Sequence, residues 1–155
     1  MLLSVMEMLK IYTDGACSGN PGAGGWAAVL LYGDARKELS GFEAHTTNNR
    51  MELLSAIMGL RAIKKNCEVE LYSDSSYLVN AINNGWLDNW QVNGWKNSQK
   101  EKIKNIDLWQ EIILLNNLHT PKYIKVKGHA DNPHNNRADE LATGEIDKKR
   151  QSQFS

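Results

Sequence analysis

Cysteine is scarce. Cys17 and Cys67 are the only two thiols in 155 residues, so the chain is no disulfide-built scaffold, and its thiols suit a reducing compartment. Long apolar runs are missing as well, and none approaches the ~20 residues that a membrane-spanning helix needs. The opening MLLSVMEMLK is too short in its apolar part, and lacks the basic flank, for a secretion signal; Met6 and Met8 are further candidate starting residues. A cytoplasmic protein is expected by elimination. Neither charge is in excess: 18 basic residues balance 18 acidic ones, so net charge gives no argument for a nucleic-acid partner. Only residues 86–127 lean basic, with seven lysines against four acids, and a solvated face explains that as well as a phosphate-binding one. There is no internal repeat.

What is present is ordinary for a globular domain, with 41% hydrophobic and 23% charged residues. A chain of this length buries roughly two thirds of its unfolded surface and folds without disulfide or structural metal. Residues 1–150 read as one domain and 151–155 as a disordered tail. Over 8–14, Leu9, Ile11 and Thr13 share one strand face and Tyr12 takes the other. GWAAVLLY over 25–32 is apolar on both faces, as a central strand is. After the Gly33-Asp34 turn signal, 36–45 makes a more polar third strand, which predicts an antiparallel meander. Leu53, Ala56, Ile57 and Leu60 then recur at helical spacing behind the candidate caps Thr47, Asn48 and Asn49. A fourth strand over 68–74, separated from the meander by that helix, is expected to run parallel to one of its strands. A short helix over 75–84 follows. The polar stretch 85–104 fits neither helix nor strand. Then come a helix over 106–116, a fifth strand over 122–127 and a last helix over 135–149, with Ala138, Leu141, Ala142 and Ile146 inward. The fold class is α/β: a five-stranded mixed sheet, three strands in a meander and two parallel, with helices on both faces.

Four acids fall at the punctuation of these elements. Asp14 closes the first strand and Asp74 the fourth; Glu52 lies just before the apolar helix face at Leu53, and Asp139 just after Ala138. If strands one and four are parallel neighbours, Asp14 and Asp74 leave the sheet at one edge, where open α/β sheets place ligand sites. Each acid alone is explained as a turn former or helix cap, and periodicity does not show that the four meet. If they meet, their repulsion calls for cations between them. Oxygen-only ligands favour Mg²⁺ or Mn²⁺ over Zn²⁺, and a pair of such ions serves the attacking and leaving oxygens of phosphoryl transfer. The ligands must be ionised, as ordinary carboxyls are at pH 7.

The blocks YTDGACSGNPGAGGWA, TTNNRMELLSAI, YSDSSYL, GWKNSQKEKIKNIDLWQ and VKGHADNPHNNRADELA occur in that order. Together they resemble the type 1 ribonuclease H family, which cuts the RNA strand of RNA–DNA hybrids. The resemblance runs from about residue 9 to 149. It implies a ribonuclease H-like fold, two Mg²⁺ ions (with Mn²⁺ as substitute), and metal-ligand roles for Asp14, Glu52, Asp74 and Asp139. It also implies that His129 assists proton transfer or product release, and that products carry 5′-phosphate and 3′-hydroxyl ends.

The resemblance further implies how the hybrid is held. Cys17, Asn20, Asn48 and Asn49 match residues that contact ribose hydroxyls in the wide minor groove. Ser76 stands where the family often has Gln, which shortens that contact. Thr47 and Asn105 match members of a DNA-strand phosphate pocket, whose arginine is His45 here. A neutral imidazole is a poorer phosphate partner than a guanidinium fork, so weaker or more pH-dependent DNA-strand binding is expected. Residues 86–102 correspond to a basic protrusion, with Trp86, Trp90 and Trp95 resembling its tryptophans, and at least two of these are expected to pack. Asp88, Gln91, Val92 and Asn93 make it less basic than is common, which implies a shallower salt dependence. The protrusion points to a free-standing cellular enzyme and not a retroviral domain; no hybrid-binding module is expected ahead of it, and a monomer is the default expectation. Two other readings stay open: a non-catalytic RNA–DNA hybrid-binding module, and a related fold performing DNA strand transfer.

Overall fold

Residues 7–127 and 132–154 are described by a computed structural model. The meander forms as expected from β1 (Met8–Gly19), β2 (Gly22–Tyr32) and β3 (Ala35–Thr46). β4 (Glu68–Ser73) adds parallel to β1, and β5 (Lys122–Lys125) parallel to β4, giving the order β3-β2-β1-β4-β5. The helices are α1 (Asn48–Arg61), α2 (Ser76–Asn83), α3 (Trp86–Val92), α4 (Ile106–His119) and α5 (Pro133–Phe154).

Alternation along β1 sends its side chains to two different cores. Leu9 and Ile11 join Leu53, Ile57 and Leu60 of α1 and Trp109 and Ile112 of α4 on one face. Tyr12 faces the other way, with Ala138 and Ala142 of α5 and Ala27 and Val29 of β2. The sheet is thus covered on both faces. Among the described residues, no helix is long and apolar enough to cross a membrane.

Several boundaries differ from expectation for physical reasons. β1 does not stop at Asp14. Its glycine-rich continuation pairs with β2 from Gly15↔Trp26 to Gly19↔Gly22. These glycines read as a turn but sit in strands beneath helices: a Cβ on Gly25 would strike the Ala142 carbonyl of α5. The stretch 85–104 holds α3 and a bridge, Lys96↔Lys102. α3 has only seven residues, too few for periodicity to register, and is held by buried Leu87 and by Trp90, whose ring lies 5.5 Å from that of Trp109. β4 ends at Ser73, leaving Asp74 one residue beyond it, and α4 runs on to His119. β5 stops at Lys125, although Val126 N still donates to Ser73 O at 2.9 Å. α5 starts at Pro133, where a fixed φ and a missing N–H suit the first turn. It also continues to Phe154, so residues 151–154, expected as a disordered tail, are helical.

Candidate active site

The pairing of β1 with β4 ends at Tyr12↔Tyr72, while β1 carries on beside β2. Asp14 and Asp74 lie just past this fork. From the other side, α1 starts at its cap Thr47, whose hydroxyl accepts from Arg50 N at 3.2 Å, and brings Glu52 round one turn later. Gly15 N donates to Glu52 Oε1. A Cβ on Gly15 would lie 2.5 Å from the Glu52 nitrogen and 2.8 Å from Met51 Cβ, so only glycine lets strand and helix close to this distance.

Among the described residues, Asp14, Glu52 and Asp74 form a group able to hold a metal ion, each offering an oxygen within 4.8 Å of the others. Asp14 and Glu52 are 6% and 4% exposed, too little for water to screen their charges, and Asp74 is half-buried. Asp139, half-buried on α5, stands outside that group but beside Asp14, where it adds to the hold on the Asp14 proton. His129 lies outside the described residues.

The electrostatics correct the expectation of ionised ligands. Burial, then the charges of Glu52 and Asp74, push the Asp14 carboxyl far above the usual range. Burial and Asp74 raise Glu52 too, against the lowering pull of the Gly15 amide. Without a cation both hold their protons more tightly than ordinary carboxyls do. This is the signature of a site that fits a hard divalent ion: oxygen donors only, buried together, with too little compensating positive charge. Cation binding must therefore release protons. The unfolded chain ionises these groups near pH 4 and the folded chain only well above it, so metal-free stability falls as pH rises between those limits. The expected result is a melting temperature that declines from pH 5 to pH 9 in EDTA. Mg²⁺ should raise it more at pH 9 than at pH 6; an equal Mg²⁺ effect at both would exclude proton-linked binding.

The other candidate residues form two groups. Along one ridge, Cys17 Sγ approaches Thr46 O at 3.5 Å, Asn20 Oδ1 accepts from Asn48 N at 3.0 Å, and the side chains of Asn48 and Asn49 are exposed. This ties the β1–β2 hairpin to the start of α1. Ser76 is exposed on the first turn of α2. In the second group, Asn105 Nδ2 donates to Tyr77 Oη at 3.0 Å, and its Oδ1 accepts from Arg50 Nη1 at 3.1 Å. Arg50 also grips Asp107 through two hydrogen bonds, of 3.0 and 2.8 Å. Trp90 and Trp95 pack against the core, whereas Trp86 is 44% exposed, open to a ligand.

Sequence reasoning passes over Gly15, Arg50 and Tyr77. Gly15 is hidden among neighbouring glycines. Arg50 stands inside a motif read for Glu52, and its partners lie more than fifty residues away. Nothing local marks it.

The RNase H family model matches residues 6–147. The ribonuclease H of Acetivibrio thermocellus is 60% identical over 143 residues, covering 92% of this chain and 97% of that protein. The ribonuclease H of Chlorobaculum parvum is 63% identical over 136 residues, covering 88% and 93%. Among solved structures, a type 1 RNase H with the type 2 active-site motif superposes with a TM-score of 0.80 at 31% identity, covering 92% of this chain and 74% of that one. A second, another RNase H1 in complex with an RNA/DNA hybrid, shares the fold with a TM-score of 0.67 at 24% identity, covering 91% and 98%.

Proposed function

This chain belongs to the ribonuclease H family of metal-dependent endoribonucleases, and on that premise we propose that it hydrolyses the RNA strand of RNA–DNA hybrids, leaving 5′-phosphate and 3′-hydroxyl ends. The observation that carries this reading is the meeting of Asp14, Glu52 and Asp74 at the fork of β1 and β4. Asp139, beside Asp14 on α5, is assigned the fourth ligand place on the family resemblance.

When bound there, two Mg²⁺ ions, or Mn²⁺ in their place, neutralise phosphate charge, activate water and stabilise the leaving oxygen. The chain's own residues prepare that site. Burial keeps water from screening Asp14 and Glu52, and the Gly15 amide fixes the Glu52 carboxyl. His129 is assigned proton transfer or product release on the family resemblance. The ridge of Cys17, Asn20, Asn48 and Asn49 supplies short donors and acceptors to ribose 2′-hydroxyls, with Ser76 beyond it. Thr47, at the cap of α1, and Asn105, bonded to the Arg50 guanidinium, take a DNA-strand phosphate. Exposed Trp86 and the lysines at 96, 100, 102 and 104 extend the grip. The enzyme of this reading is a cytoplasmic monomer, free of the membrane.

A gel assay on four duplexes or strands of one sequence tests it: RNA–DNA, RNA–RNA, DNA–DNA and single-stranded RNA, each with Mg²⁺ and with EDTA. Cutting is expected only in the RNA strand of the hybrid and only with Mg²⁺. Tight hybrid binding without cutting would replace the enzyme with a non-catalytic hybrid-binding module.

A further inference from the structure

The chain has five arginines, and four of them are neutralised. Arg36 pairs with Glu38, Arg50 with Asp107, Arg61 with Glu111, and Arg137 with Glu38 and Glu140. Arg150 is the exception: among the described residues it joins no ion pair, and its Nη2 instead donates to Ser18 Oγ. Its neighbour Lys149 is likewise outside the ion pairs of the described residues, with Nζ 5.5 Å from the Phe42 ring centroid. Lys148 differs, reaching Glu145 at 3.5 Å.

Compensation of the helix dipole does not account for this arrangement. Cations suit the last turn of a helix, yet α5 runs on to Phe154 and its last turn carries no basic residue. Arg150 is exposed and lies against the Ser18 hydroxyl. Ser18 lies between Cys17 and Asn20 on the β1–β2 hairpin. A guanidinium has five N–H donors, and one bond to Ser18 leaves a fork free for an incoming oxyanion.

We infer that Lys149 and Arg150 form a further phosphate-binding site, which takes a backbone phosphate of the RNA strand at a distance from the cut. The inference rests on the proposed function, because it assigns the hairpin to the RNA strand. Asp139 and Arg150 share α5 and are eleven residues apart, which is about 16 Å along a helix axis. At about 3.4 Å of duplex axis per phosphate of one strand, that reach spans at most about five nucleotides. The site lengthens the footprint on one side of the cut only, and it reads charge without reading sequence.

The test is the salt dependence of hybrid affinity, measured without divalent cations on the parent chain, Arg150→Ala, Lys149→Ala/Arg150→Ala and Arg150→Lys. Arg150→Ala is expected to flatten the plot of log Kd against log salt by about 0.7–0.9. Between 50 and 200 mM salt that removes about a three-fold change in affinity, and the double variant removes more. Arg150→Lys keeps the slope of the parent. With hybrids that extend fewer than about five base pairs on one side of the cut, parent and Arg150→Ala should converge, and shortening the other side should have no such effect. An unchanged slope in Arg150→Ala overturns the inference. So does a loss of affinity that is equal at every salt and not restored by Arg150→Lys, which would make Arg150 a staple between helix and hairpin. A parent chain that fails to bind hybrid at all would instead overturn the proposed function, and this site with it.

Discussion

Asp14→Asn is expected to lower hybrid cleavage by at least ~10²–10³-fold, the scale on which one preorganised electrostatic group counts in catalysis. Hybrid affinity in EDTA should stay close to that of the parent, because the proposed substrate contacts belong to other side chains. The same variant should gain stability where the parent loses it. Asp14 is buried with Glu52 and Asp74 at hand, and in the absence of metal its carboxyl stays protonated far above the usual range. An amide has the same shape and no proton to lose. The gap between parent and variant in EDTA should therefore be small at pH 5 and widen up to pH 9, with the variant melting higher, and it should close when Mg²⁺ is added to the parent. Cleavage near the parental rate would show that Asp14 holds no essential ion. A stability gap independent of pH would show that repulsion among the carboxyls is not its cause.

Gly15→Ala should harm both stability and turnover, through one methyl group. The added Cβ would meet the backbone of α1 at Met51 and Glu52, and backbone has nowhere to give. Overpacking of this kind costs about 1–3 kcal/mol. To relieve it, α1 must move away from β1, taking Glu52 from the Gly15 amide and from Asp14. A displacement near 1 Å at a catalytic group costs about 10²-fold in rate. Gly85→Ala is the control: it imposes strain at φ +76° with nothing within 4 Å of its Cβ, so it should lose stability and keep kcat. Urea unfolding and single-turnover cleavage on both variants separate the two effects. A Gly15→Ala protein as stable and as fast as the parent would mean that strand and helix are not held at contact.

Residues with local physical signatures are legible in the amino-acid sequence alone. Alternation at Leu9, Ile11 and Tyr12 marks β1 and both of its faces, and the spacing of Leu53, Ala56, Ile57 and Leu60 marks the buried side of α1. Asp14 and Asp74 stand out as acids at strand ends, and the pairing that brings them to one edge, β4 parallel to β1, is one of the arrangements that the sequence leaves open. What escapes depends on distant partners. The glycines after Asp14 look like a loop until the helices above and below them are in place. α3 is too short to show a period. Arg50 becomes meaningful only when α4 delivers Asn105 and Asp107 to it. The shared proton load of Asp14 and Glu52 is a property of their burial together, which no spacing along the chain reveals.

The continuation of β1 past its fork with β4 has a mechanical side. Beyond Tyr12, β1, β2 and β3 project as a three-stranded beam with β1 at its edge, tied near its tip to α1 through Asn20 and Asn48 and to α5 through Ser18 and Arg150. Asp14 sits at the root of that beam. A duplex whose groove does not match the tip bends a strand that has a catalytic acid at its base. On the proposed function, such a misfit is expected to slow the chemical step as well as weaken binding, which would make the hairpin a check on duplex shape.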